Sequence, residues 1–107
     1  YQIACMAGAM TVLETVQCME AGADIVKIFP GNLFGPKIIQ AIRGPLPQAR
    51  LMPTGGVSAD NAGEWIKAGA VAVGAGGELT AGAKTGDYDA IVAVGKRMIE
   101  EVKKARA

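Results

Sequence analysis

A lone lysine interrupts an apolar run, Asp24-Ile25-Val26-Lys27-Ile28-Phe29-Pro30. The run reads as a short strand, rich in β-formers and ended by Pro30 and Gly31. Strand alternation puts Ile25, Lys27 and Phe29 on one face and Val26 and Ile28 on the other. Burial disfavours an ammonium ion, so a lysine set among hydrophobes offers some free amine at neutral pH. A free amine attacks carbonyls and forms Schiff bases. The competing reading is a lysine that snorkels to the strand end or pairs with a carboxylate. The strand alone does not separate the two.

Two glycine-rich turns form a second constellation: Thr54-Gly55-Gly56 and Gly74-Ala75-Gly76-Gly77. Each follows an expected strand. Turns of this kind expose several backbone N–H groups to an anion, and glycine lets the backbone approach its oxygens. In (βα)8 barrels the loops after the last two strands often hold phosphate this way. The plainer reading is a pair of tight turns. Parallel strands bring all their ligand-facing ends to one sheet edge, so Lys27 and both turns converge there. A Schiff-base amine beside an anion pocket suggests an aldolase acting on a phosphorylated keto compound.

The elements that must position these groups alternate strand and helix. Strands are expected at about Ile3 to Met6, ended by Ala7-Gly8, then Asp24 to Phe29, Arg50 to Pro53 and Ala70 to Val73. A helix opens on a capping box, Thr11 with Glu14, lays Val12, Val16 and Met19 along one face, and ends at Gly22. A second starts near Pro36, buries Ile38, Ile39 and Ile42, and stops at Gly44-Pro45. A third opens at Ser58 or Ala59 with Ala62, Trp65 and Ile66 as its stripe and Gly69 at its end. A polar stretch then leads to Asp87 and a last helix that buries Tyr88, Ile91 or Val92, Gly95, Met98 or Ile99, and Val102. The spacing is a quasi-repeat of ~20–26 residues, the size of a βα unit with short loops. Such alternation implies a parallel sheet with right-handed crossovers. Four units make either an open sheet or half of a (βα)8 barrel. No linker divides residues 1–107, which read as a single (βα)4 unit.

Composition narrows the function classes. Half of the 107 residues are hydrophobic, 15 are glycine, and the formal net charge is +1, which gives no electrostatic footprint for nucleic acid or a membrane surface. No apolar stretch reaches spanning length. Histidine is absent, and no CxxC or HExxH spacing marks a metal site. Cys5 and Cys18 suit a reducing cytoplasm better than a disulfide framework. The chain opens at Tyr1, which fits a processed product, a fragment or a designed sequence.

Three segments together resemble the 2-keto-3-deoxy-6-phosphogluconate aldolase family and the related 2-keto-4-hydroxyglutarate aldolases. They are Val26-Lys27-Ile28-Phe29-Pro30-Gly31, the turn Gly44-Pro45-Leu46-Pro47-Gln48, and Met52-Pro53-Thr54-Gly55-Gly56-Val57. Ala75-Gly76-Gly77 and Gly86-Asp87-Tyr88 continue the match. The resemblance implies a class I aldolase on a (βα)8 barrel, usually trimeric, with no metal and no cofactor. It makes Lys27 the Schiff-base lysine and Phe29 the aromatic residue beside it. It makes Thr54 the residue lining the pyruvate end of the site, and Gly55, Gly56, Gly76 and Gly77 the phosphate loops. Some members carry serine at the Gly77 position. Ala7 stands where the family's P-G-x-x-[ST] turn has proline.

Family chains are roughly twice as long, as eight units require, and the match is to their second half. The general-base glutamate and the arginine that clamps the substrate carboxylate are expected in the first half. Glu14 is better explained by its capping box, and Glu78 beside a glycine loop would repel phosphate. The expected ligand is a small keto acid. The expected partner is a second copy or a complementing half-barrel, since four units leave open strand edges and an uncovered inward face.

Overall fold

The computed structural model describes residues 1–107. Three parallel strands, β1 (Met6–Ala9), β2 (Ile25–Ile28) and β3 (Leu51–Pro53), pair in sequence order. Helices alternate with them: α1 (Val12–Glu20), α2 (Lys37–Arg43), α3 (Ala62–Lys67), the short α4 (Gly77–Thr80) and the long α5 (Tyr88–Arg106). Short 3-10 turns cover Gly31–Leu33 and Ala81–Thr85. This is an α/β arrangement matching half of a TIM-type barrel.

The first strand lies later than the sequence suggests. Ile3 is exposed, and Ala7 and Gly8 sit inside the strand rather than in a turn. Pairing decides this. The Asp24 carboxylate accepts from the Cys5 amide at 2.7 Å, and the Asp24 amide donates back to the Cys5 carbonyl at 2.9 Å. That clasp starts the ladder at Met6 against Ile25, and Phe29 closes it by donating to the Ala9 carbonyl.

The expected strand at Ala70–Val73 is reduced to a single parallel bridge, Thr54 with Gly74. Val71 donates to Leu51 and Gly74 to Pro53, so the segment follows β3 on one side only. With nothing on its outer edge, it does not build a regular ladder.

One sheet face carries the core. Val26, Ile28, Leu51 and Pro53 are fully buried there, with Ile39, Ile42 and Trp65 from the helices and Val57 from the loop after β3. The opposite face, with Met6, Ile25, Lys27 and Met52, has no helix on it, and Met6 is 49% exposed.

The helices differ from the sequence reading in detail. The α1 capping box forms as expected, with Thr11 accepting from the Glu14 amide and the Glu14 carboxylate from the Thr11 amide. Its buried residue is Thr15, however, rather than Val12, Val16 or Met19. The Thr15 hydroxyl donates to the Thr11 carbonyl, which lets it enter the core without an orphan group. The third helix begins at Ala62, not at Ser58 or Ala59, because Asn61 accepts from the Ser58 amide and holds residues 58–61 as a turn. The polar stretch before Asp87 folds into α4 and the second 3-10 turn. Along α5 only Met98 is buried. Tyr88, Val92 and Ile99 are more than half exposed, because no element of this chain covers that side.

Candidate functional site

Lys27 is the third residue of β2, with Gly8 of β1 and Met52 of β3 as its register partners. The strand is short and β-branched, so it forms easily. Its even face is committed to the core, and the odd face presents Lys27 outward. Lys27 is half-buried rather than enclosed. Its Nζ stands 5.4 Å from the centroid of the Phe29 ring. The two ion pairs of the chain, Arg97–Asp60 and Lys104–Glu101, lie elsewhere, so no carboxylate neutralises Lys27. That removes the carboxylate-paired alternative left open by the sequence.

Beyond the strand ends lies a cleft of about 390 Å³. Phe29 forms one wall, Thr54-Gly55-Gly56-Val57 the floor, and Gly74, Gly76, Gly77 and Glu78 the far side. The structure thus gathers Phe29, Thr54, Gly55, Gly56, Gly76 and Gly77 around one space. Lys27 is not on that lining. It joins the cleft through Phe29, whose ring is shared between the cleft wall and the lysine.

Backbone contacts lock the floor. The Gly31 amide donates to the Thr54 carbonyl at 2.8 Å, and the Thr54 amide to the Ile28 carbonyl at 2.9 Å. Gly31 admits no side chain, since a Cβ would lie 2.8 Å from the Gly55 carbonyl oxygen and 3.4 Å from the buried Trp65 ring. Gly55 and Gly56 have φ of +93° and +69°, which only glycine adopts cheaply, and a Cβ on Gly56 would meet the Asn32 Cβ at 2.7 Å. Gly76 and Gly77 differ: a Cβ on either would meet nothing within 4 Å.

Six amides on the cleft wall, those of Gly55, Gly56, Val57, Gly76, Gly77 and Glu78, donate to no group in the chain. Unpaired N–H groups gathered in a glycine-rich concavity are what an anion needs. The Thr54 hydroxyl is buried without a partner and faces the Gly74 Cα, where a Cβ would overlap it. The sequence reading named Gly74 within a glycine turn but missed Gly31, Asn32 and Val57 as shapers of the site. The only signal for these three was proximity to the glycine turns, because their role comes from contacts between loops.

The two carboxylates weighed from sequence separate clearly. Glu14 accepts from the Met10 and Thr11 amides at 2.7 and 2.9 Å, and these bonds hold its carboxyl below the ordinary glutamate range. It is occupied by its helix cap. Glu78 lies on the cleft wall and takes part in no ion pair.

The sequence profile described as KDPG and KHG aldolase matches residues 1–94. The 2-dehydro-3-deoxy-6-phosphogalactonate aldolase of Escherichia coli K12 is 40% identical over 73 residues, which are 67% of this chain and 36% of that protein. The KHG/KDPG aldolase of the same organism is 35% identical over 99 residues, 90% of this chain and 46% of that one. A solved structure described as native KDPGal superposes with a TM-score of 0.86 at 30% identity, covering 96% of this chain and 50% of its own. The chain therefore spans about half the length of the relatives it matches.

Proposed function

The chain belongs to the KDPG and KHG aldolase family, and we propose on that premise that it carries the Schiff-base portion of a class I aldolase site. The reaction is reversible cleavage of a 2-keto-3-deoxy sugar acid 6-phosphate, or of 2-keto-4-hydroxyglutarate, to pyruvate and an aldehyde. The observation that carries this reading is Lys27: an amine without a carboxylate partner, on an open sheet face, against the ring that walls the cleft.

In this mechanism the free Lys27 amine adds to the C2 carbonyl, and the carbinolamine loses water to give an iminium. A base takes the C4 hydroxyl proton, and the aldehyde leaves as the C3–C4 electron pair flows into the iminium. The resulting enamine is protonated at C3. Water then hydrolyses the imine, releasing pyruvate and freeing Lys27. Phe29 and Thr54 border the keto-acid end. The free amides of Gly55, Gly56, Gly76 and Gly77 receive the phosphate or distal carboxylate. The base comes from a complementing half-barrel, which also covers the face holding Met6, Ile25 and Phe29. That half is a matching (βα)4 segment; a second copy would close the barrel but bring no base that this chain lacks, and in either case residues 1–107 act as one (βα)4 unit. Two free thiols suit the cytoplasm, the reducing compartment we assign.

Pyruvate with cyanoborohydride, followed by digestion and mass mapping, tests the assignment. Modification confined to Lys27 and lost in Lys27→Arg supports it, since a guanidinium stays protonated. Modification spread over Lys37, Lys67 and Lys103, or none, overturns it. A second reading, a non-catalytic half-barrel that keeps only an anion site, draws on the absence of Lys27 from the cleft lining. It predicts phosphate binding without imine formation.

A further inference from the structure

We propose that Gly8 is a specificity-determining residue: by having no side chain beside Lys27, it sets how large a substituent the carbonyl attacked by Lys27 can carry. The proposal rests on the Schiff-base reading of Lys27 and extends it to the size of the electrophile.

Gly8 and Lys27 are direct register partners on adjacent parallel strands, so their side-chain positions point from the same sheet face. On the other flank Lys27 has Met52. One side of the lysine is thus walled by a thioether and the other is left open by a hydrogen. Two residues back, Met6 pairs with Ile25 on that face, so the opening is local to Lys27.

Glycine inside a strand usually answers a backbone need, and here none is found. Gly8 is not among the positive-φ glycines. A Cβ built on it would meet only the Lys27 carbonyl oxygen, at 3.9 Å, an ordinary contact. This contrasts with Gly31, Gly56 and Gly74, where a Cβ collides with the chain. Glycine in a strand interior is disfavoured relative to alanine, because it loses more backbone freedom on folding. With no strain or clash to justify it, the remaining reason is the space in front of it, and a glycine in a strand often marks the close approach of a ligand. The substituent on the far side of the carbonyl carbon sits over Gly8 as Lys27 attacks.

The test uses the full 107-residue chain and three 2-oxo acids that differ only in the group on the carbonyl: glyoxylate (hydrogen), pyruvate (methyl) and 2-oxobutyrate (ethyl). Each is incubated with cyanoborohydride, and the rate of modification at Lys27 is measured by peptide mapping, with Lys37 and Lys67 as internal references. Wild type, Gly8→Ala and Gly8→Val are compared, each checked for its native circular dichroism. The expected result is a graded loss: glyoxylate changes less than twofold, pyruvate falls severalfold in Gly8→Val, and 2-oxobutyrate falls more than tenfold. Equal rates for all three acids across the variants overturn the proposal while leaving Lys27 as the nucleophile. An equal loss for all three also overturns it, by showing that Gly8 only makes room for the lysine stem. Absence of Lys27 modification by any acid in wild type overturns the Schiff-base reading itself. If Gly8→Val fails to fold, the Gly8→Ala ratio of 2-oxobutyrate to glyoxylate decides, with no change counting against the proposal.

Discussion

The Lys27 Nζ lies over the Phe29 ring, 5.4 Å from its centroid. The pair is built by alternation, since residues two apart on a strand share a face. It links Lys27 to the cleft, because Phe29 also lines the cleft wall. A cation held over an aromatic face gains about 0.5–1 kcal/mol at a partly exposed site. Replacing Phe29 by leucine removes that orientation and keeps the bulk. We expect pyruvate trapping at Lys27 to fall in Phe29→Leu through loss of that orientation; the cation–π energy itself favours the unreactive ammonium and sets no factor. An unchanged rate would mean that the ring does not position the amine.

The two glycine loops should respond differently to substitution. Gly56→Ala forces a Cβ into a left-handed backbone and against Asn32. Strain of this kind costs about 1–3 kcal/mol. Gly76→Ala has open space around it and should cost less than Gly56→Ala. Urea melts of both variants check the contrast. Equal midpoints would show that the Gly55-Gly56 turn is not fixed by its contacts.

Because a Cβ on Gly76 would meet nothing within 4 Å, Gly76→Asp tests charge without a steric clash. A carboxylate beside the free amides of Gly55 and Gly56 should repel an anion. At phosphate tenfold above its Kd, wild type gains about 1.4 kcal/mol of stability through binding. Gly76→Asp should gain almost none. Thermal melts with and without phosphate measure this, and an equal gain in both proteins would reduce the loops to turns.

Glu14 makes stability depend on acid pH. Its carboxyl is held below the ordinary range by the Met10 and Thr11 amides. The folded state therefore binds that proton more weakly than the unfolded one. The contribution is complete above the ordinary glutamate value, about 4.3, and is lost as pH falls through the lower folded value. Glu14→Gln should flatten the stability profile over that acid window and leave the profile near neutrality unchanged in shape. A variant with the same acid slope as wild type would place the titration elsewhere.

The sheet face around Lys27 and the α5 side are apolar and uncovered, with Phe29, Val92 and Ile99 each more than half exposed. Surfaces of this kind drive association. We expect the purified chain to show a mass that rises with concentration in sedimentation equilibrium and to bind an apolar dye. A monomer without dye binding would show that the (βα)4 unit is self-sufficient.

Several features follow from the sequence because they depend on neighbours along the chain. The Thr11–Glu14 capping box, the helix after Pro36, the Asp87 cap and the alternation that separates Lys27 from Val26 and Ile28 are all local, set by spacing and backbone chemistry. The glycine turns and the K-x-F-P strand were also legible, since residue type alone limits what they do. The three-dimensional structure decided what depends on partners far away in sequence. The first strand moved to Met6–Ala9 because Asp24 clasps Cys5 and fixes the register. The segment at Ala70–Val73 stayed a bridge because it has one neighbour instead of two. Thr15 displaced Val12 from the buried face because its hydroxyl finds a carbonyl one turn back. Lys27 proved half-buried because whether a strand face is covered is a property of the packed layers, which periodicity cannot report. Gly8 beside Lys27 came from register alone, which no spacing within either strand contains.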